Sequence, residues 1–227
     1  MVEQVAKSEE SRVVIEVWSD LVCPWCYIGT HRLKAAIAQR PDPDRFEIVM
    51  RSFELDPTAS REPETIEKAF IRSHGGTADQ FLRAERQVQA IARSEGLEFS
   101  LDRLSASTFD LHRVSQYAAG QGHGDEFFSR VQDGFFTGTL NPYDPRALAG
   151  VAESVGLDAQ RVRDILANDE YADRVRIDRA DGLELGATGV PFVVIDRRVA
   201  APGAQKVSTY GQMLEQAAGP VLSERAS

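Results

Sequence analysis

The chain has 227 residues, is 42% hydrophobic and 27% charged, and carries a formal net charge of −9. That profile is a soluble globular protein with a core, and its acidity argues against nucleic acid or an anionic membrane surface as a principal partner. No apolar run approaches the length of a membrane-spanning helix, so none is expected.

Residues 1–12 are polar and of mixed charge, without the apolar stretch of a secretory signal, and read as a disordered lead-in to a cytoplasmic protein. An apolar strand is expected at 13–18, then a helix from Pro24 to about Gln39, stopped by Arg40-Pro41-Asp42-Pro43. A second strand over 46–53 completes a β-α-β unit, which normally holds its strands parallel. From 63 to 187 the pattern is helical. The expected helices begin at Pro63, at the capping box Thr77-Ala78-Asp79-Gln80, at Phe109, beyond Gly124, at Asp144-Pro145, at Asp158 and at Tyr171. Aromatic residues recur within them at helical spacing and read as core. After Gly189 the period changes: Phe192–Ile195, a turn at Asp196-Arg197, and 198–201 form a hairpin, and Ser208 is expected to cap a last helix to Ala218. The sum is an α/β protein whose mixed four-stranded thioredoxin-like core, 13–62 with 188–220, is interrupted by an all-helical insertion, 63–187.

Both cysteines fall in Cys23-Pro24-Trp25-Cys26, at the junction of the first strand and helix. Unpaired N–H groups and the positive end of the helix dipole favour a thiolate there, and the thiolate is the nucleophile of disulfide exchange. Cys23, nearest the helix start, is expected to attack. Cys26, one turn on, is expected to resolve the mixed disulfide. Pro24 costs no hydrogen bond in the first turn, and Trp25 supplies bulk without a cation, which suggests a less oxidising centre than a histidine. A zinc site is the alternative, but four histidines without metal-ligand spacing and no second cysteine pair leave it short of ligands. Two ordinary buried cysteines are the other. Glu16 reads either as an edge position facing water or as a raised-pKa base behind Cys26. His112 reads as a helix-surface residue paired with a local acid, or as part of the active-site rim.

The ordered set Glu16-Val17-Trp18-Ser19-Asp20, Cys23 to Gly29, Arg51 to Pro57, Gly96 to Phe99, Thr108-Phe109-Asp110 with His112-Arg113, Gly189-Val190-Pro191-Phe192 and Gly203-Ala204-Gln205 resembles the DsbA-like thioredoxin superfamily. Within it, the chain resembles the FrnE-like cytosolic subfamily of disulfide oxidoreductases. The resemblance implies a cis-proline loop packed against the dithiol, with Pro191 as the cis-proline and Val190 offering its backbone to an extended substrate. It implies a thiol–disulfide oxidoreductase acting on thiol- or disulfide-containing proteins or small molecules. No cofactor is expected beyond the redox-active disulfide. Glutathione is a possible co-substrate, and glutathione or a thioredoxin-type system a possible recycling partner. The alternatives are a glutathione-dependent isomerase or kappa-like glutathione transferase, which typically carry serine at the position of Cys23, and a non-enzymatic chaperone.

Overall fold

The computed structural model describes residues 12–218, so the expected lead-in lies outside it except for Arg12, which pairs with Glu47 across 3.0 Å. Strands β1 (Val13–Ser19), β2 (Phe46–Ser52), β5 (Phe192–Ile195) and β6 (Val199–Pro202) form one mixed sheet in the order β2-β1-β5-β6. β1 runs parallel to β2 from Val13↔Phe46 to Ser19↔Ser52 and antiparallel to β5, and β5 and β6 form the hairpin. Asp196 and Arg197 both adopt positive φ, near 51° and 53°, which gives the two-residue turn a twist matching its strands.

Helix α1 (Pro24–Ala38) is the crossover between β1 and β2, and α9 (Val207–Ala218) lies beside it. The helical block holds α2 (Ile66–His74), α3 (Ala78–Ser94), α4 (Phe109–Gly120), α5 (Gly124–Thr137), α6 (Pro145–Ser154), α7 (Ala159–Leu166) and α8 (Ala172–Glu184). Local capping explains several of these starts. Thr77 and Gln80 close a reciprocal box, and Asp144 and Asp158 accept N–H bonds from the first turns of α6 and α7.

Two expected helix starts are corrected. Glu64–Thr65 and Leu104–Ser105 pair as the two-residue strands β3 and β4, so α2 begins at Ile66, capped by Thr65, rather than at Pro63. Ser208 lies inside α9, because the Lys206 carbonyl already accepts the Tyr210 N–H at 3.0 Å.

The alternation of β1 divides the core. Ile15 and Val17 join the large cluster with α1 and α9 residues such as Leu33, Tyr210 and Leu214. Trp18 points the other way, into a smaller cluster with Phe53, Ala187, Phe192 and Val194 beneath α8. Its Nε1 donates to the Asp178 carbonyl at 2.6 Å, and a Cβ on Gly182 would meet the indole at 2.7 Å. Gly182→Ala should therefore cost about 1–3 kcal/mol through overpacking. Chemical denaturation checks this, and unchanged stability would mean that α8 shifts freely over the indole.

Candidate active site at the start of helix α1

Cys23 is the N-cap of α1 and Pro24 its first residue, which places the dithiol where the helix N–H groups lack intrahelical partners. The Cys23 carbonyl accepts from the N–H groups of Cys26 and Tyr27 at 3.1 and 3.3 Å. Cys23 is 5% exposed and Cys26 is 0% exposed, so both are buried and only the first residue keeps any contact with the surface, while Trp25 at 40% forms a rim beside it. Both cysteines are free thiols. The Cys23 thiol faces the Val190 carbonyl oxygen at 3.5 Å. The Val190–Pro191 peptide bond is cis, and Val190 lies ahead of the β5 ladder, which starts at Phe192. The close approach of this loop favours a glycine: a Cβ on Gly29, in the second turn of α1, would meet the Pro191 ring at 3.1 Å.

Burial pushes the Cys26 thiol well above its ordinary range, and the neighbouring Cys23 pushes it further, whereas the Ser19 side chain and the Asp20 backbone act in the opposite direction. Ser19 is fully buried and follows Ile15 and Val17 on the α1 face of β1. Cys23→Ser takes away the neighbouring sulfur's charge but leaves the burial of Cys26. The thiolate fraction of Cys26 is therefore small at neutral pH and grows as pH rises. Alkylation of Cys26 in Cys23→Ser should climb about tenfold per pH unit across pH 7–9. Iodoacetamide kinetics measure this, and a plateau below pH 8 would contradict it.

Both sequence expectations for Glu16 are corrected in position. β1 is an internal strand, so Glu16 is no edge residue, and it is 4% exposed. Alternation turns it away from Ser19 to the Trp18 face, where Arg51 donates to it at 2.6 Å and Arg197 pairs with it. The groups acting on Cys26 are Cys23, Ser19 and Asp20, and the Glu16 carboxylate is held by guanidiniums instead.

His112 is also not a surface residue. It is 1% exposed, because Leu111 to Ala118 of α4 are buried throughout, and its partner is not local. Its Nε2 lies 3.2 Å from Oδ1 of Asp20, 92 positions away. Asp20 also accepts the N–H groups of Leu21 and Leu55, both at 2.8 Å, and its carbonyl accepts the Cys23 N–H at 3.4 Å. Asp20 thus ties the dithiol loop to α4 and to the loop after β2. Sequence reasoning quoted Asp20 in a motif but gave it no role.

A family model described as a DSBA-like thioredoxin domain matches residues 14–215. The uncharacterized protein YwbO of Bacillus subtilis is 29% identical over 195 residues, spanning 85% of this chain and 90% of its own. The crystal structure of the probable DsbA oxidoreductase of Streptomyces coelicolor is 37% identical, covers 95% of this chain and 94% of its own, and superposes with a TM-score of 0.85. The cytosolic disulfide reductase DsbM of Pseudomonas aeruginosa, solved with GSH, shares the fold at 17% identity and a TM-score of 0.61, over 89% of this chain and 98% of its own.

Proposed function

The chain belongs to the family of DSBA-like thioredoxin domains, and from that premise we propose that it exchanges disulfides through Cys23 and Cys26. The observation that carries this is the graded burial of the pair: Cys23, 5% exposed, at a helix N-cap facing the Val190 carbonyl, with Cys26 fully buried behind it. The Cys23 thiolate attacks one sulfur of a substrate disulfide, forming a mixed disulfide and expelling the other sulfur as a thiolate, which takes up a proton. The Cys26 thiolate then attacks the Cys23 sulfur, closing the Cys23–Cys26 disulfide and releasing the second substrate thiol. Two electrons pass from the protein to the substrate, and a low-molecular-weight thiol such as glutathione, or a thioredoxin-type reductase system, returns them.

Trp25 and the backbone of Val190 flank Cys23 and serve as the substrate platform, with Pro191 holding that loop against α1. The redox couple is the dithiol itself, without a further cofactor, and glutathione is the co-substrate of choice, in keeping with the GSH-bound DsbM of the same fold. The working location is the cytosol; among the described residues no helix is long and apolar enough to cross a membrane. The second cysteine disfavours a transferase or isomerase, which needs no resolving thiol.

Insulin reduction measured beside glutathione conjugation to an electrophile tests the reading. Turnover in the first and none in the second is expected, and the reverse would overturn it. Iodoacetamide at mildly acidic pH should label Cys23 before Cys26, because Cys26 is enclosed and its thiol pushed up. Equal labelling of the two would contradict the assigned roles.

A further inference from the structure

A cavity of about 480 Å³ opens between the loop after β2, the approach to α4, and α8. Its lining includes Glu54, Arg61, Ser107, Phe109, Arg176 and Arg179. Two of the three arginines are engaged: Arg61 lies 3.6 Å from Asp110, and Arg176 pairs with Asp173 at 2.8 Å. Arg179 sits 5.3 Å over the Phe53 ring, and its Nε is buried without a hydrogen-bond partner. Glu54 is only 7% exposed, and burial pushes its carboxyl up, with Asp20 adding to that while His112, Arg179 and Arg176 oppose it. No ion pair within 4.0 Å joins Glu54 to Arg179 or to any other described cation. Two unpaired groups of opposite sign therefore face one cavity, and each carries a desolvation cost that a ligand can offset.

Two chains of contacts connect the cavity wall to the dithiol. Leu55, next to Glu54, donates its N–H to the Asp20 carboxylate, and the Asp20 carbonyl accepts the Cys23 N–H. Phe53, beneath Arg179, shares a cluster with Val190, whose carbonyl faces the Cys23 thiol.

We infer that this cavity binds the α-amino-acid end of a low-molecular-weight disulfide, its ammonium on Glu54 and its carboxylate on Arg179. A ligand group carrying both charges satisfies both orphaned side chains, whereas a simple anion leaves Glu54 opposed and a simple cation leaves Arg179 unpaired. The inference rests on the disulfide-exchange reading above, because it names the substrate class of that same centre.

The test is a panel of disulfides that differ in their end groups: cystine (zwitterionic), dithiodipropionate (anionic), cystamine (cationic) and hydroxyethyl disulfide (neutral). For the wild-type protein, kcat/KM for cystine or for glutathione disulfide should exceed that for hydroxyethyl disulfide by about tenfold, the scale of one charge pair. In E54Q and in R179Q that ratio should fall toward one; a ratio is read because it is insensitive to a general loss of folded protein. Cystine and glutathione disulfide, which both carry α-amino-acid ends, separate the sources of the group. An effect confined to cystine assigns the cavity to the free amino acid, and one confined to glutathione disulfide assigns it to the γ-glutamyl end. Turnover of all substrates at similar kcat/KM, or dithiodipropionate as the best, would overturn the inference while leaving disulfide exchange intact. No turnover of any disulfide, the neutral one included, would instead overturn the exchange reading.

Discussion

Cys23→Ser is expected to abolish disulfide exchange, whereas Cys26→Ser is expected to leave a protein that attacks once and then stalls as a mixed disulfide on Cys23. The two thiols lie one turn apart, yet only Cys23 reaches both the surface and the Val190 loop, while Cys26 is enclosed by the sheet end and by Cys23 itself. Removing the attacking sulfur deletes the covalent step, a loss on the order of 10⁴-fold or more in turnover. Removing the resolving sulfur leaves attack intact and blocks release, so the signature is a stoichiometric adduct with a substrate thiol, visible by intact-mass spectrometry and reversed by dithiothreitol. If Cys26→Ser turned over small disulfides at the wild-type rate with no added thiol, Cys26 would have no resolving role. If Cys23→Ser and Cys26→Ser were equally trapped, either sulfur would be able to attack, and the ordering drawn from burial would be wrong.

The placement of the dithiol at the start of α1 was legible because its signal is local. Two cysteines at a strand-to-helix junction, with proline at the first helical position, need no tertiary information to suggest a nucleophile at a helix start. The same holds for the helices opened by Thr77, Asp144 and Asp158, whose caps are satisfied within three residues. Long-range pairing was not legible. Whether Glu16 supports the thiols depends on which face of β1 it occupies. The sequence shows alternation without saying which side carries α1, and the Arg197 partner lies 181 positions away. His112 looked like a surface residue because Asp110 and Arg113 beside it are polar. Burial of almost all of α4 is a property of its packing between α5, α8 and β2. The paired strands β3 and β4 are two residues each, too short for any periodicity to register.

Asp178→Ala is expected to lower stability by about 3 kcal/mol, roughly 10 °C in Tm for a chain of this size. Asp178 is 5% exposed and joins three elements. Its Oδ1 accepts from Arg51 at 3.2 Å, and its Oδ2 accepts the Ser52 N–H at 2.9 Å and the Gln116 side-chain amide. Arg51 in turn bridges to Glu16, and Glu16 to Arg197, so one carboxylate anchors a charge chain beneath α8. Truncation leaves the buried Ser52 N–H without its acceptor and one side of Arg51 unmatched. Arg51 is about a third exposed, so water replaces part of its loss, and the estimate stays at the low end for a broken buried pair. Asp178→Asn keeps an acceptor for Ser52 and should recover more than half of the loss. The pH dependence has a definite sign. Burial raises the Asp178 carboxyl in the folded state, against the Ser52 N–H and Arg51, which lower it. A raised folded pKa means that the unfolded chain releases this proton first. The proton-linked part of its contribution is full below the unfolded value of about 3.9 and is lost as pH rises through the folded value, leaving the hydrogen bonds and the Arg51 pairing that truncation removes. The stability of the wild type relative to Asp178→Asn should therefore decline with rising pH across that window. Urea denaturation of the two proteins between pH 3.5 and 7 measures it. An advantage that instead grew with pH would show that the ionised carboxylate is the stabilising form and that Arg51 outweighs burial.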